Sequence, residues 1–423
     1  DQDFWKPEDQ VRIIADSASD GGFIDKPAFF YAIDAPYRQE TINEQIQVEG
    51  ETQPVAVSTP SGSLIVVYTV FPDDGPGSKI LLRRSRDNGA TWSEPTTVVE
   101  GQTEVTGASV SAIGEKIIVT YRRAAGLVPT NPYDDDCDDD DDDCMTSVTA
   151  AVEAVKCIND GYFHCYAPEE VFEVCPFDQP ASGSTFRTFS FPWLANDGKR
   201  FWVFAADRRF AGDASCTPVP GAPGKFSGKP RIVGMSSIDG KNWVGSDSDK
   251  YNPFVVAPRA EGFQVMPTAF GTKGRVDIAW YDTFREEVEG LPPGNNDILI
   301  NDYSNGPQRV FRKADIFMTR LTASCSNRPR RGCTPDLESP VRISLFPTVL
   351  ETLQADVLQE VRADLKNLRM YSSGTLAFNG DYIALATPPF RKLANGKWIP
   401  NSTASGGAGP ELPGYTDRQD LFM

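Results

Sequence analysis

Apolar residues along this chain fall in short runs broken by turn formers. Residues 64–69 (Leu-Ile-Val-Val-Tyr-Thr), 117–121 (Ile-Ile-Val-Thr-Tyr), 201–205 (Phe-Trp-Val-Phe-Ala) and 276–281 (Val-Asp-Ile-Ala-Trp-Tyr) are examples. Runs of this length, rich in β-branched and aromatic residues and bounded by Gly, Pro, Asn and Asp, predict strands. One stretch departs from this. Within 348–369, Leu350, Leu353, Val357, Val361, Leu365 and Leu368 recur at three- and four-residue spacing, which predicts one amphipathic helix packed on the β-structure.

The runs belong to a repeat. Each unit opens on a β-rich segment that often carries proline or glycine, followed by a turn and an apolar strand. The openings are Asp25-Lys26-Pro27-Ala28-Phe29-Phe30, Thr52-Gln53-Pro54-Val55-Ala56-Val57, Thr106-Gly107-Ala108-Ser109-Val110, Phe186-Arg187-Thr188-Phe189-Ser190-Phe191, Gln264-Val265-Met266-Pro267-Thr268-Ala269 and Asn379-Gly380-Asp381-Tyr382-Ile383-Ala384. Six openings predict an all-β, six-bladed β-propeller over 1–423, its last blade closed by a strand from the N-terminal region. Third strands follow at 80–85, 232–237 and 315–320. The first runs into Ser85-Arg86-Asp87-Asn88-Gly89-Ala90-Thr91-Trp92, which matches the Asp-box pattern Ser-x-Asp-x-Gly-x-Thr-Trp. The second runs into Ser237-Ile238-Asp239-Gly240-Lys241-Asn242-Trp243, a form one residue shorter. In such a turn the aspartate accepts bonds from nearby backbone N–H groups, the glycine takes a positive φ and the tryptophan folds back as an apolar plug. The role is structural.

Charge and cysteines modify this picture. The formal net charge is −18, and nine aspartates (Asp134, Asp135, Asp136, Asp138, Asp139, Asp140, Asp141, Asp142 and Asp143) supply half of it. The charge excludes the basic surface that nucleic acid requires. Nine crowded carboxylates repel one another unless cations neutralise them. Oxygen-only ligands suit Ca²⁺, the alternatives being a solvated acidic loop with diffuse counterions or a contact for a cationic partner.

Eight cysteines (Cys137, Cys144, Cys157, Cys165, Cys175, Cys216, Cys325 and Cys333) read as four disulfides in an oxidising compartment. The short spacings suggest Cys137/Cys144, Cys157/Cys165 and Cys325/Cys333, leaving Cys175 with Cys216. Zinc fits less well, because the chain has no Cys-x-x-Cys pair and His164 is its one histidine. No run approaches the roughly 20 apolar residues of a membrane span. The start at Asp1 and the abrupt apolar end lead us to expect a mature secreted or cell-surface protein whose natural chain continues past 423. Asn401-Ser402-Thr403 is a glycosylation acceptor pattern.

With its two Asp-boxes, its Phe23-Ile24-Asp25-Lys26-Pro27 opening, the segment Gly374-Thr375-Leu376-Ala377-Phe378-Asn379-Gly380-Asp381-Tyr382-Ile383 and the closing Tyr415-Thr416-Asp417-Arg418-Gln419-Asp420, the chain resembles the sialidase superfamily. More narrowly, it resembles large secreted bacterial BNR/Asp-box repeat proteins. Segments at about 124–183 and 285–312 fall outside that resemblance as insertions. The resemblance implies a site in which three arginines hold a substrate carboxylate, a tyrosine polarised by a glutamate is the nucleophile, and an aspartate is the acid/base. A guanidinium fork suits a carboxylate because it donates two parallel, charge-assisted bonds.

The matching positions are incomplete. Val11-Arg12-Ile13-Ile14 lacks the aromatic and the proline expected around the first arginine. Arg187 begins an inner strand and Tyr371 lies in Met370-Tyr371-Ser372-Ser373, so these two are the catalytic candidates. Arg122, Arg123, Arg208 and Arg259 stand near strand ends. Phe186, Trp193, Phe263, Trp280 and Tyr281 could line a sugar-stacking pocket, although core packing is the expected role for most of them. The intact repeat beside an incomplete catalytic set leads us to expect a non-catalytic, calcium-associated module that binds a glycan or a surface protein, with membership of a larger surface assembly left open. The alternative is an exo-acting glycoside hydrolase of sialidase type.

Overall fold

The structure is a computed structural model. It describes residues 14–15, 17–33, 39–48, 51–60, 62–73, 77–85, 89, 91–101, 103–129, 145–148, 150–159, 163–177, 189–210, 228–246, 252–258, 262–272, 274–282, 315–325 and 333–343. It also describes the short strands 349–353, 357–361, 384–386, 390–392, 398–400 and 420–422.

The protein is nearly all β, built of antiparallel sheets. After one helical turn, α1 (Ser17–Asp20), comes strand β1 (Phe23–Ile33). A two-stranded hairpin of β2 (Gln39–Val48) and β3 (Glu51–Pro60) is inserted before β4 (Gly62–Phe71), β5 (Ser78–Ser85) and β6 (Thr96–Gly101). The first sheet has the order β1-β4-β5-β6. The second sheet contains β7 (Val105–Ile113) and β8 (Lys116–Arg123). The ribbon of β9 (Gly126–Pro129) and β10 (Met145–Val148) follows, and then β11 (Ala151–Asn159) pairs with β8. Two short strands, β12 (Phe163–Cys165) and β13 (Glu169–Glu173), share the outer edge of β11.

The third sheet runs β14 (Trp193–Asn196), β15 (Phe201–Asp207), β16 (Arg231–Ser237) and β17 (Phe254–Val255). The fourth runs β18 (Gln264–Thr272), β19 (Arg275–Asp282), β20 (Asp315–Cys325) and β21 (Cys333–Leu337), with β22 (Val341–Arg342) also on β20. The leading strands β1, β7, β14 and β18 stand next to one another in chain order. Four antiparallel sheets thus follow one another in chain order, their leading strands adjacent.

The central strands of the four larger sheets are continuous apolar runs because they are buried on both faces. On β15, Phe201, Val203 and Ala205 pack with Ile118, Val152 and Ala154 of the second sheet. The alternate residues Trp202, Phe204 and Ala206 pack with Val276, Ile278 and Trp280 of the fourth. Ile65, Val67, Ile80 and Leu82 of the first sheet likewise meet Val110, Val119 and Tyr121 of the second.

Several expectations change. The 348–369 segment is not a helix where it is described: β23 (Val349–Leu353) and β24 (Val357–Val361) pair as a hairpin. Its β-branched Val349, Thr352, Val357 and Val361 suit a strand as well as a helix, and period alone cannot arbitrate over so short a run. The opening at 52–57 pairs with β2 instead of leading a sheet, because β1 already occupies the inner edge of β4. The segment 124–183, expected as an insertion, supplies β11 to β13 of the second sheet. The opening at 186–191 precedes its strand, which starts at Trp193. Of the last opening, β25 (Ala384–Ala386) includes only Ala384, and the rest lies outside the described residues.

Cys157 and Cys165 form a disulfide across β11 and β12. Cys175 is in a disulfide too, and so, separately, is Cys333, which stands opposite Cys325 in the β20–β21 ladder. Cys137, Cys144 and Cys216 lie outside the described residues.

Candidate functional site

Three leading strands share one irregularity. Their ladders shift register between Asp25 and Ala28, between Thr106 and Ser109, and between Val265 and Thr268. At each bulge one residue takes a positive φ: Lys26 (54°), Gly107 (66°) and Met266 (51°). Proline follows Lys26 and Met266, where the interrupted ladder does not need its missing N–H. The bulges lie at the strand starts, next to the ends of β4, β8 and β19, and so at one end of the assembly.

Here three sheets converge. Lys26 is buried, with its Nζ 3.2 Å from Asp25 Oδ2, and its backbone N–H donates to Asp25 Oδ1 at 2.7 Å. The same ammonium lies 5.3 Å from the Phe189 ring centroid and 6.0 Å from that of Phe191. Those two rings stack at 4.8 Å and 7°. Arg122, at the end of β8, brings its guanidinium 5.6 Å from Phe191. Gly107 closes the cluster, since a Cβ there would run into the Phe191 ring. Two cations therefore flank a stacked aromatic pair, an attractive arrangement because positive charge meets the negative ring faces.

The neighbouring ionisable groups are bound to one another. The Asp207 carboxylate accepts from Arg209 Nε at 3.0 Å and Nη2 at 2.8 Å, and from the Cys175 N–H at 3.3 Å. Burial raises its pKa, against the pull of Arg209. Glu153 accepts from the Tyr121 hydroxyl at 2.7 Å and from Arg123 Nε at 2.7 Å. Burial, then Glu153, pushes the Tyr121 phenol well above its ordinary range. Gln264 accepts from the Ile232 N–H and donates to the Ala257 carbonyl, and Asp282 accepts from the Trp280 indole.

Of the arginines singled out from sequence, Arg122 reaches the cluster. Arg123 turns to the opposite face, and Arg208 stacks 4.5 Å from Phe177. Trp193 donates its indole N–H to the Ala269 carbonyl at 2.8 Å, while Phe263, Trp280 and Tyr281 are buried core residues. Arg12, Phe186, Arg187, Arg259, Tyr371 and the aspartates at 134–143 lie outside the described residues; the run falls between β9 and β10 in the chain. Among the described residues no cluster of His, Cys, Asp or Glu could hold a metal ion. Lys26, Phe189 and Phe191 were not singled out from sequence. The signal was the proline heading the inner strands, as in Lys26-Pro27, Phe191-Pro192 and Met266-Pro267.

The two boxed turns lie at the other end. In the second, Ser237 Oγ accepts from the Gly240 N–H at 2.8 Å. Asp239 Oδ1 accepts from the N–H groups of Lys241 at 2.9 Å and Asn242 at 2.8 Å, and Oδ2 from the Asn242 amide at 2.7 Å. Trp243 packs on the core between the second and third sheets. In the first, the Gly89 N–H donates to Ser85 Oγ at 2.7 Å, Thr91 is exposed and Trp92 packs on Val66, Tyr68, Val70 and Leu81. Asp87 lies outside the described residues.

No protein-family model and no curated protein matches the chain. Solved structures similar to it include an α-L-arabinanase of Penicillium chrysogenum complexed with arabinobiose, at 13% identity and TM-score 0.32, covering 89% of this chain and 79% of that one. An α-L-arabinofuranosidase of Fusarium graminearum aligns at 11% identity and TM-score 0.30, covering 74% and 76%. A Trypanosoma rangeli sialidase aligns at 11% identity and TM-score 0.31, covering 88% of this chain but 48% of that one. At these TM-scores the likeness assigns neither a family nor an activity.

Proposed function

We propose that the protein is a secreted or cell-surface, sialidase-like six-bladed β-propeller that acts as a non-catalytic binding module for a glycan or a surface protein. One observation carries this reading. At the end of the assembly where the bulged strands converge, three described carboxylates are each held by a neighbouring cation: Asp25 by Lys26, Asp207 by Arg209 and Glu153 by Arg123. Carboxylates bound in this way fix architecture, whereas a general acid or base has to reach a reacting atom. Beside these pairs the stacked Phe189 and Phe191 rings are only half-buried.

Secretion is supported by the disulfides, and no helix among the described residues is long and apolar enough to cross a membrane. Calcium bound by Asp134–Asp143 is part of the same proposal, supported by the oxygen-only composition of that run. A panel of fluorogenic sialosides and other glycosides, run beside a glycan-binding array, tests the reading. Binding without turnover is expected. Turnover abolished by Arg187→Ala or Tyr371→Phe would establish the hydrolase instead.

A further inference from the structure

A second cluster lies about 20 Å along β8 from Arg122, at the end that carries the boxed turns. In the second sheet, Lys116 pairs with Ile158 and Ile158 with His164. In the next row Ile118 pairs with Lys156, whose carbonyl accepts the Tyr166 N–H at 2.9 Å. Lys116, Lys156, His164 and Tyr166 therefore share the sheet face on which Ile118 meets the third sheet. The Cys157–Cys165 disulfide fixes the short strand that carries His164.

The third sheet covers this face with its 237–243 turn. Lys116 Nζ donates to the Ile238 carbonyl at 3.2 Å. Gly240, at φ +75°, sits so close that a Cβ would collide with Ile118, and the Lys156 Cβ is 3.9 Å from that position. Lys241 places its ammonium 4.1 Å from the Tyr166 ring centroid, and His164 meets that ring edge-on at 5.1 Å. Tyr166 is 37% exposed.

Lys241 and His164 thus meet the partly exposed Tyr166 ring, and Lys116 and Lys156 lie on the same sheet face, in a chain of net charge −18. The lysines act on one another. Burial, followed by Lys116 and Lys241, holds the Lys156 ammonium below its ordinary pKa, with Asp239 as the one opposing carboxylate. Both oxygens of Asp239 already accept bonds within their own turn. The rim of this seam therefore concentrates positive charge that an incoming anion would neutralise.

We propose that the rim of this seam between the second and third sheets binds the acidic group of an anionic saccharide, carboxylate or sulfate, with the sugar ring against Tyr166. The ammonium groups supply the charge-assisted bonds, and the flat ring supplies an apolar face for sugar C–H groups. The strongly acidic remainder of the chain disfavours a long polyanion such as nucleic acid.

Calorimetric titration of the full chain with oligogalacturonate, with a heparin-derived oligosaccharide and with a neutral maltooligosaccharide of equal length tests the site. At least one acidic oligosaccharide should bind and the neutral one should not. Binding to the carboxylate form, the sulfate form or both identifies the acidic group. Lys241→Ala and Tyr166→Ala should each weaken binding about tenfold or more without lowering the melting temperature, and Lys241→Arg should restore most of it. Failure of both acidic probes to bind, or unchanged affinity in the two alanine variants, overturns the proposal. Loss of binding in Arg122→Ala alone would place the saccharide at the other end, overturning this site while leaving the binding-module reading standing.

Discussion

The Tyr68 hydroxyl donates to Asp20 Oδ2 at 3.0 Å, and Arg83 closes the triangle by donating to both of them at 3.0 Å. The triangle ties α1 to the first sheet across 48 residues of chain. It also sets a pH response. Burial, partly offset by Arg83, pushes the Tyr68 phenol up to about 12. A folded-state value above the unfolded one, about 10, means the neutral phenol stabilises the fold. That stability is present in full below pH of about 10 and is lost as the pH rises towards 12. Denaturant titrations over this range should show a declining midpoint, and Tyr68→Phe should flatten the decline. An identical decline in Tyr68→Phe would count against this account.

Asp239 has the opposite sign. Burial alone would raise its pKa, but bonds from Asn242, Lys241 and Ser237 outweigh burial and hold it below the ordinary value. Its stabilisation is present above about pH 4 and is lost as the pH falls through the folded-state value. Asp239→Asn, which puts an amide where Asn242 donates, should cost about 1–2 kcal/mol at neutral pH. The difference from the parent should shrink in acid, as measured by urea unfolding at pH 7 and pH 3.

At Gly107, alanine would meet both an unfavourable left-handed φ and the Phe191 ring. We expect Gly107→Ala to destabilise the protein by about 2–4 kcal/mol, the sum of a backbone and an overpacking cost. Gly114→Ala, with a similar φ of 60° but open space around the added Cβ, should cost only about 1 kcal/mol. Comparing the two by chemical unfolding separates packing at the convergent end from backbone strain.

Removing the Cys157–Cys165 bridge as the double serine variant should cost about 2–3 kcal/mol, given its sequence separation of 8. The loss should be matched by mild reduction if this is the first bridge to open. Calorimetry with and without reductant would measure it.

Much of the framework was legible in the residues. The strands at 64–69, 117–121, 201–205 and 276–281 stand where their apolar runs place them, within β4, β8, β15 and β19. Asp239 makes the turn contacts its pattern called for. The boundaries of leading segments were harder to read. Asp25–Phe30 and Thr52–Val57 carry the same proline signature, and local sequence does not say which of them occupies the edge of β4. The spacing of three and four within 348–369 predicts a helix, but over so short a run rich in β-branched residues it does not exclude the hairpin of β23 and β24.

Short apolar runs, turn chemistry and composition determined by themselves that the chain is β-rich and that Cys157 lies near Cys165. These are short-range properties, set by side-chain volume, backbone preference and loop length within a few residues. Only the tertiary structure decided that Lys26, Arg122 and Phe191 meet, or that Lys241 rests on Tyr166. Each group joins residues from different sheets, brought together by the bulges and by the packing of one sheet on the next. Charge and ring contacts of that kind depend on distances of a few ångströms between segments far apart in the chain, which no local pattern encodes.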